Sequence, residues 1–367
     1  MEKKEFLVYE TDASQKRGKL KKIFFPENIE DVRNLIKKSD YITIRGGGSG
    51  LVGGAVPQGD LVLDLSKLDK IEKLDLTKKS LIVQAGTILE DIQNYLLPYN
   101  LEFPVNPSSF SICTIGGMIA TNAVGTRAMK YGRTSDNLLW IEVIDSKGEL
   151  HRFGKADFGD YVGMEGITGV IVRACLKLIE KKERHLKLFQ FDNYEDVIRE
   201  VMSYKKREDV SAIELLDKKT SFLLGFNKAY SILVEFENKK EEKFDNYLYS
   251  KRYSLFPLLA SEGFFIIEDP QLILEKSPYL VSWLETREIP FYSHISVGIF
   301  HPCFSKKQEK YISQMFGLIK KLGGKISGEH GIGLLKKDFV DSNDKKLLLS
   351  IKKRLDPQNK FNRGKII

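Results

Sequence analysis

The sequence predicts an α+β chain of two domains with a closing segment, on three observations. Residues 41–44 read as a strand entering a glycine-rich loop, Arg45-Gly46-Gly47-Gly48-Ser49-Gly50-Leu51-Val52-Gly53-Gly54, and residues 61–65 read as a strand leaving it. Two more clusters of small residues, at 104–125 and 162–171, fall within the first 180 residues. Beyond a charged stretch at 180–184, helices and strands alternate, which suggests an antiparallel sheet covered on one face.

Taken in order, Ile29, Val32 and Ile36 recur at helical spacing after Pro26. The glycine loop leaves successive backbone N–H groups free to crowd an anion, because no Cβ blocks their approach. It fits neither common nucleotide motif. A Walker loop ends in Gly-Lys-Ser/Thr, whereas this one ends in Gly54-Ala55-Val56-Pro57; a Rossmann loop opens a helix, whereas a strand follows here. Residues 81–84 and 90–95 repeat strand then helix, and 140–145 with 150–153 flank Ser146-Lys147-Gly148-Glu149 as a hairpin. Residues 167–179 close a first domain, 1–180.

The second domain, 181–345, is expected to hold helices at 195–204, 240–249 and 306–322. Its strands are expected at 212–216, 230–236, 264–267 and 291–300, with Phe222, Leu233 and Trp283 as packing residues. The charged residues 180–184 read as a solvated turn. Residues 346–367 form the closing segment.

At 367 residues the chain can bury a sizeable core in each domain. No run of eighteen apolar residues occurs and Met1-Glu2-Lys3-Lys4-Glu5 lacks an apolar stretch, so neither a transmembrane helix nor a signal peptide is expected. A cytoplasmic location follows as the expectation, with peripheral attachment to the inner face of the membrane as its variant. Cys113, Cys175 and Cys303 are isolated, which supports neither a disulfide framework nor an iron–sulfur cluster. The net charge of +8 is scattered over presumed helix faces such as Lys239-Lys240-Glu241-Glu242-Lys243, and it would steer anions toward the protein. No nucleic-acid-binding module is present.

With the first loop, the clusters Pro104-Val105-Asn106-Pro107-Ser108-Ser109, Thr114-Ile115-Gly116-Gly117-Met118-Ile119-Ala120-Thr121-Asn122-Ala123 and Gly163-Met164-Glu165-Gly166-Ile167-Thr168-Gly169-Val170-Ile171 resemble the PCMH-type FAD-binding domain of the vanillyl-alcohol oxidase superfamily. The resemblance implies a two-subdomain FAD-binding domain followed by a ferredoxin-like α+β cap, with the C-terminus returning to the FAD domain. It implies that Arg45, Gly46, Gly47, Gly48, Ser49, Gly50 and Leu51, with Gly53 and Gly54 beside them, hold the FAD pyrophosphate. Pro107, Ser108, Thr114, Gly116, Gly117, Thr121, Asn122 and Ala123 would line the flavin and adenosine half, and Glu165, Gly166, Gly169 and Ile171 the adenine side. The loop lacks the His or Cys that tethers flavin in some relatives, so a non-covalent FAD is expected.

Three of the five histidines fall in two late segments, Ser293-His294-Ile295-Ser296-Val297-Gly298-Ile299-Phe300-His301 and Ser327-Gly328-Glu329-His330-Gly331-Ile332-Gly333. Imidazoles with a carboxylate suit a borderline divalent cation such as zinc, and three protein ligands leave a position open for substrate. A separation of seven would place His294 and His301 on opposite faces of a regular strand, so both reach one cation only if the chain bends between them; Gly298 is the natural place.

These segments, with Leu355-Asp356-Pro357 and Phe361-Asn362-Arg363-Gly364-Lys365, resemble the FAD-linked oxidase C-terminal type, a group holding D-lactate dehydrogenases, glycolate oxidase flavin subunits and 2-hydroxyglutarate dehydrogenases. The resemblance implies that His294, His301 and Glu329 hold a divalent metal, that His330 is the base, and that Asn362 reaches the cofactor. It implies oxidation of a 2-hydroxy acid to the 2-oxo acid by hydride transfer to flavin N5. Electrons would pass on to a separate acceptor: a quinone, an electron-transfer flavoprotein, a cytochrome or an iron–sulfur subunit. Two departures stand out. Ser296-Val297-Gly298-Ile299 replaces the Gly-Asp-Gly-Asn common in relatives, removing two polar side chains near the proposed metal, and the cap is shorter than usual. Arg287 and Lys336 are candidates for the substrate carboxylate; otherwise each is an exposed structural cation. Two alternatives remain: an FAD-binding electron-relay subunit without hydroxyacid oxidation, and an NADPH-dependent reductase on the same flavin fold.

Overall fold

The structure is a computed structural model that describes residues 6–237 and 246–367. The chain divides into two compact units. Unit 1 comprises Met1–Val124, Arg133–Lys181 and His330–Ile367; unit 2 comprises Gly125–Gly132 and Lys182–Glu329. The charged run at 239–243 and the first five residues lie outside the described residues.

Unit 1 opens with β1 (Lys19–Phe24) and α1 (Ile29–Lys38), whose N-terminus is capped by the Asn28 side chain accepting from the Asp31 N–H. Then β2 (Ile42–Arg45) and β3 (Gln58–Asp64) complete a parallel sheet in the order β1-β3-β2. The α1 residues Val32 and Ile36 are buried against it with Ile42, Leu63 and Phe361. Residues 46–57, the glycine loop, therefore connect two adjacent parallel strands without a helix. Next come β4 (Ile71–Asp75), β5 (Ser80–Gln84), α2 (Leu89–Leu96), β6 (Leu101–Glu102) and α3 (Ile115–Thr121). β7 (Leu138–Ile144), β8 (Leu150–Phe153), β9 (Val170–Lys177) and β10 (Ile179–Glu180) finish this part, and an antiparallel sheet runs β4-β5-β9-β7-β8. Leu89 and Ile92 of α2 and Ile115 and Ile119 of α3 share a core with Leu81, Val83, Ile141 and Ala174 of that sheet.

Unit 2 holds α4 (Ala128–Tyr131), β11 (Arg184–Phe191), α5 (Tyr194–Tyr204), β12 (Val210–Leu216), α6 (Lys218–Leu223) and β13 (Tyr230–Glu237). It continues with α7 (Asn246–Ser261), β14 (Ile266–Ile267), α8 (Ser277–Glu285), β15 (Phe291–His294), β16 (Ile299–Phe304) and α9 (Ile312–Lys321). The strands form one antiparallel sheet in the order β11-β13-β12-β15-β16-β14. Covering is on both faces, not one. Leu233 packs with Leu248, Leu255 and Leu259 of α7, while Tyr230, of opposite parity on the same strand, meets Tyr194 of α5. Every residue of β12 and β13 is accordingly buried.

Several expectations need correction here. Phe222 is 62% exposed, because it lies on the outer side of α6, and Trp283 is half-buried beneath the Arg287 guanidinium; Leu233 is core. Arg184 is buried rather than solvated, since β11 begins there and the guanidinium pairs with Glu237 at 2.8 Å. The expected helix at 306–322 is a 3-10 turn, Lys306–Tyr311, followed by α9. Of the expected helix at 240–249, residues 240–245 lie outside the described residues, and α7 runs on to Ser261. The chain returns to unit 1 at His330, upstream of residue 346, forms α10 (Ser342–Leu355), and ends with Phe361 bridged in parallel to Ile42 of β2.

Candidate active site

In unit 2 the expected strand at 291–300 is a hairpin. β15 ends at His294, residues Ile295–Val297 make a 3-10 turn, Gly298 takes φ +70°, and β16 returns. Only a residue without a Cβ fits there, since a Cβ on Gly298 would lie 1.9 Å from the Leu272 carbonyl oxygen. The register pairs Tyr292 with His301 and His294 with Ile299. His294 and Tyr292 share a face by alternation, so His294 and His301 project from the same face of the sheet. Their rings stand 5.0 Å apart at 79°, and His301 stacks on Tyr292 at 4.6 Å.

Glu329 arrives from the loop beyond α9. The Asp269 carboxylate holds that loop, accepting from the Ser327 hydroxyl (2.8 Å), the Gly328 N–H (3.0 Å) and the Glu329 N–H (2.6 Å). Glu329 Oε2 lies 3.6 Å from His294 Nε2 and 3.7 Å from His301 Nε2. The three donor atoms fall within 4.8 Å of one another, and both histidines are buried. Ligand atoms around a zinc-sized cation stand about 3–3.5 Å apart. Two imidazole nitrogens and one carboxylate oxygen at these separations therefore fit a divalent cation.

Behind His294 sits a carboxylate that sequence reasoning missed. Extending the β12–β15 register by one residue places Glu214 opposite His294, and Glu214 Oε1 lies 3.4 Å from His294 Nδ1. That leaves Nε2 to face Glu329. Glu214 also accepts a hydrogen bond from Arg252 Nε on α7. Burial works against charge here, but Arg252 and His294 win and hold the Glu214 carboxyl below its usual range. Burial likewise opposes the His294 imidazolium, and Glu214 and Glu329 outweigh it to raise that pKa. Further along the same sheet, Arg127 Nε pairs with Glu235 at 2.6 Å, and despite burial it brings the Glu235 pKa down to about 2. An acidic residue inside the apolar run Val210-Ser211-Ala212-Ile213-Glu214-Leu215-Leu216 was a usable signal for Glu214. Arg252, on a helix rich in surface residues, gave none.

Arg287, one carboxylate candidate, is occupied elsewhere: Nη1 donates to the Trp283 carbonyl (3.1 Å), and its guanidinium lies over the Trp283 ring at 4.2 Å. Lys336, the other, is 2% exposed rather than a surface cation and belongs to unit 1.

In unit 1 the three small-residue clusters meet. A Cβ on Gly46 would stand 2.4 Å from Thr114 Oγ1 and one on Gly47 2.0 Å from the Ile112 carbonyl oxygen, so the loop lies directly on the start of α3. No acceptor among the described residues takes the N–H groups of residues 46–51. A run of such amides on a backbone where Gly46, Gly47, Gly48 and Gly50 carry no Cβ fits a diphosphate. Arg45 is buried below it, donating to the Thr11 carbonyl at 2.7 Å. Thr114 caps α3 by accepting from Gly117 N–H, Gly116 N–H donates to the Ala85 carbonyl, and the Thr121 hydroxyl donates to the Gly117 carbonyl. Asn122 ends the helix in the left-handed region and accepts from Ser135 N–H, while Ala123 accepts from Thr134; Pro107 is buried and Ser108 exposed.

The third cluster is tied to the returning chain. Glu165 is buried, and its carboxylate accepts from the Ile332 N–H (2.6 Å) and the Gly333 N–H (2.9 Å). Burial raises its pKa to about 7, and burial lowers that of Lys365 to about 7. Asn362 accepts from Ile44 N–H and donates to the Glu165 carbonyl, so its amide is engaged within the protein. Gly166 packs on that amide, Gly169 on Val143, and Ile171 is buried opposite Val143. His330, half-buried, directly precedes this loop.

Comparisons with known proteins cover the glycine loop, the second cluster and the histidine hairpin with the segment after it. A family model described as an FAD binding domain matches residues 20–154, and one described as the C-terminal domain of FAD linked oxidases matches residues 286–366. The chain is 27% identical to a D-lactate dehydrogenase of Archaeoglobus fulgidus over 401 residues, covering 93% of this chain and 90% of the relative. It is 25% identical to the glycolate oxidase subunit GlcD of Bacillus subtilis (98% and 92% covered) and 26% identical to a D-2-hydroxyglutarate dehydrogenase of Xanthomonas citri pv. viticola (94% and 88%). A solved alkyldihydroxyacetonephosphate synthase superposes with TM-score 0.70 at 16% identity, over 93% of this chain and 75% of that one, which establishes likeness of fold. Among the described residues, no helix is long and apolar enough to cross a membrane.

Proposed function

We propose that this chain, which belongs to the FAD-linked oxidases, oxidises a 2-hydroxy acid of the lactate or glycolate kind to the 2-oxo acid and passes the electrons to a separate acceptor. One observation carries the reading: in a chain of that family, two buried imidazoles and a carboxylate converge on one point. FAD would lie non-covalently on the amides of residues 46–51, and a divalent cation, zinc by its donor set, on His294, His301 and Glu329. When bound, the flavin supplies a hydride acceptor and the cation a Lewis acid for the substrate hydroxyl.

The protein's own residues do the rest. His330 takes the hydroxyl proton, a task suited to an imidazole acting as general base. Glu214 keeps Nδ1 of His294 engaged, so that Nε2 points at the substrate side. Arg252 is the cation best suited to the substrate carboxylate. It is nearly buried, it adjoins Glu214, and its Nη nitrogens donate to no acceptor among the described residues. A cytoplasmic enzyme is the matching location.

The test is to add D- and L-2-hydroxy acids anaerobically to purified, metal-replete protein and follow flavin absorbance. Bleaching by one stereoisomer of a 2-hydroxy acid is expected. Bleaching by none of them overturns the reading in favour of an electron-relay subunit, and bleaching by NADPH alone favours a reductase.

A further inference from the structure

Glu165 lies 165 residues upstream of His330, yet it grips the turn that follows it. Its two carboxylate oxygens divide between consecutive amides, Ile332 N–H to Oε1 and Gly333 N–H to Oε2. The turn is shaped for that carboxylate: Gly331 has φ +86°, and a Cβ there would stand 2.5 Å from Glu165 Oε1. Glu165 itself is held in the left-handed region at φ +46°, an unfavourable conformation for its type. Its own N–H donates to the Ala120 carbonyl (2.7 Å) and its carbonyl accepts from the Asn362 side chain (2.7 Å). The gripped turn is fixed further along as well, where Gly333 accepts from Ile366 N–H and Leu334 N–H donates to Val52 (each 2.8 Å). All of these contacts fall within unit 1.

We propose that Glu165 is a positioning residue for His330: by seating its carboxylate in the amides of Ile332 and Gly333 it fixes the backbone from which the His330 imidazole projects. The inference rests on the reading of His330 as the base. A buried carboxylate bridging two consecutive amides orients a turn more narrowly than packing alone, because its two oxygens belong to one rigid group and each accepts a directional hydrogen bond. A base displaced by about 1 Å from its proton loses on the order of 100-fold in rate. Proton removal would therefore depend on a side chain that touches neither substrate nor metal ligand.

The experiment is a double-substitution cycle on FAD-loaded, metal-replete protein, comparing Glu165→Gln, Glu165→Ala, His330→Ala and the Glu165→Ala/His330→Ala pair. Flavin reduction by the hydroxy acid, substrate KM, FAD content, metal content and Tm are read for each. Expected are a roughly 100-fold slower reduction in Glu165→Ala, KM and both contents near wild type, partial recovery in Glu165→Gln, and little added loss from Glu165→Ala once His330 is gone. Additive losses in the pair, or loss of FAD in step with rate, overturn the proposal by assigning Glu165 to the cofactor site or the fold. Full activity in His330→Ala overturns the base reading instead. If Glu165→Ala fails to fold, the same cycle with Glu165→Gln decides.

Discussion

The glycine loop of unit 1 and the His294–His301–Glu329 cluster of unit 2 are built in opposite ways. The loop, as the proposed FAD site, would work through backbone: four of residues 46–51 are glycines, and Gly46 and Gly47 are fixed by how closely they approach Thr114 and Ile112. The cluster would work through side chains, and its geometry comes from strand register and from carboxylates behind two of its three arms, Glu214 for His294 and Asp269 for the Glu329 loop. A backbone site tolerates change in neighbouring side chains but not an added methyl; a side-chain site tolerates neither a lost donor nor a slipped strand. The two should therefore fail separately.

The largest expected effect is from His301→Ala. It should abolish stoichiometric metal and slow turnover about 1,000-fold or more, the several kcal/mol a Lewis acid supplies, while FAD content measured by absorbance stays at wild-type level. Unchanged metal in elemental analysis would break the assignment. Next is Glu235→Gln, which leaves the part-buried Arg127 without its charge partner and should cost about 3 kcal/mol at neutral pH in a denaturant melt. Because the folded pKa of Glu235 lies near 2, below the ordinary carboxylate value of 4.5, the stabilisation is fully present above about pH 4.5 and is lost as pH falls toward 2. The gap between variant and wild type should close over that window; a gap constant down to pH 2 would contradict the pairing.

Glu214→Gln comes third, with metal affinity weakened roughly 10–100-fold in a chelator competition and no change in FAD. The smallest is Gly47→Ala, whose methyl meets the Ile112 carbonyl and should cost roughly 1–3 kcal/mol, seen as weaker FAD retention with metal content intact. Parallel losses of FAD and metal in either variant would merge the two sites into one.

Much of this was legible in the sequence, for identifiable reasons. The strand, glycine loop, strand order was readable, because a glycine run with no helix-opening pattern marks a connection that β2 and β3 indeed flank. The odd spacing of His294 and His301 demanded a bend, and Gly298 provides it with φ +70°. Pairing across strands was not readable. That Glu214 faces His294 depends on β12 lying beside β15, a partnership between residues eighty apart that no local pattern encodes. Burial on both faces of the unit 2 sheet was missed because full burial erases the alternation that marks a strand with one wet face. Phe222 erred in the other direction, an aromatic residue on the outside of a short helix.

The parallel bridge between Phe361 and Ile42, with Asn362 N–H donating to the Ile42 carbonyl, has a consequence for biosynthesis. The parallel sheet of unit 1 receives its last strand-like partner from residues made after the whole of unit 2. At translation rates of about 5–20 residues per second, the nascent β2 waits on the order of 15 s or more for that partner. Unit 2 can finish folding first, and a ribosome stalled short of residue 360 should release a chain with a complete histidine hairpin and an unfinished unit 1.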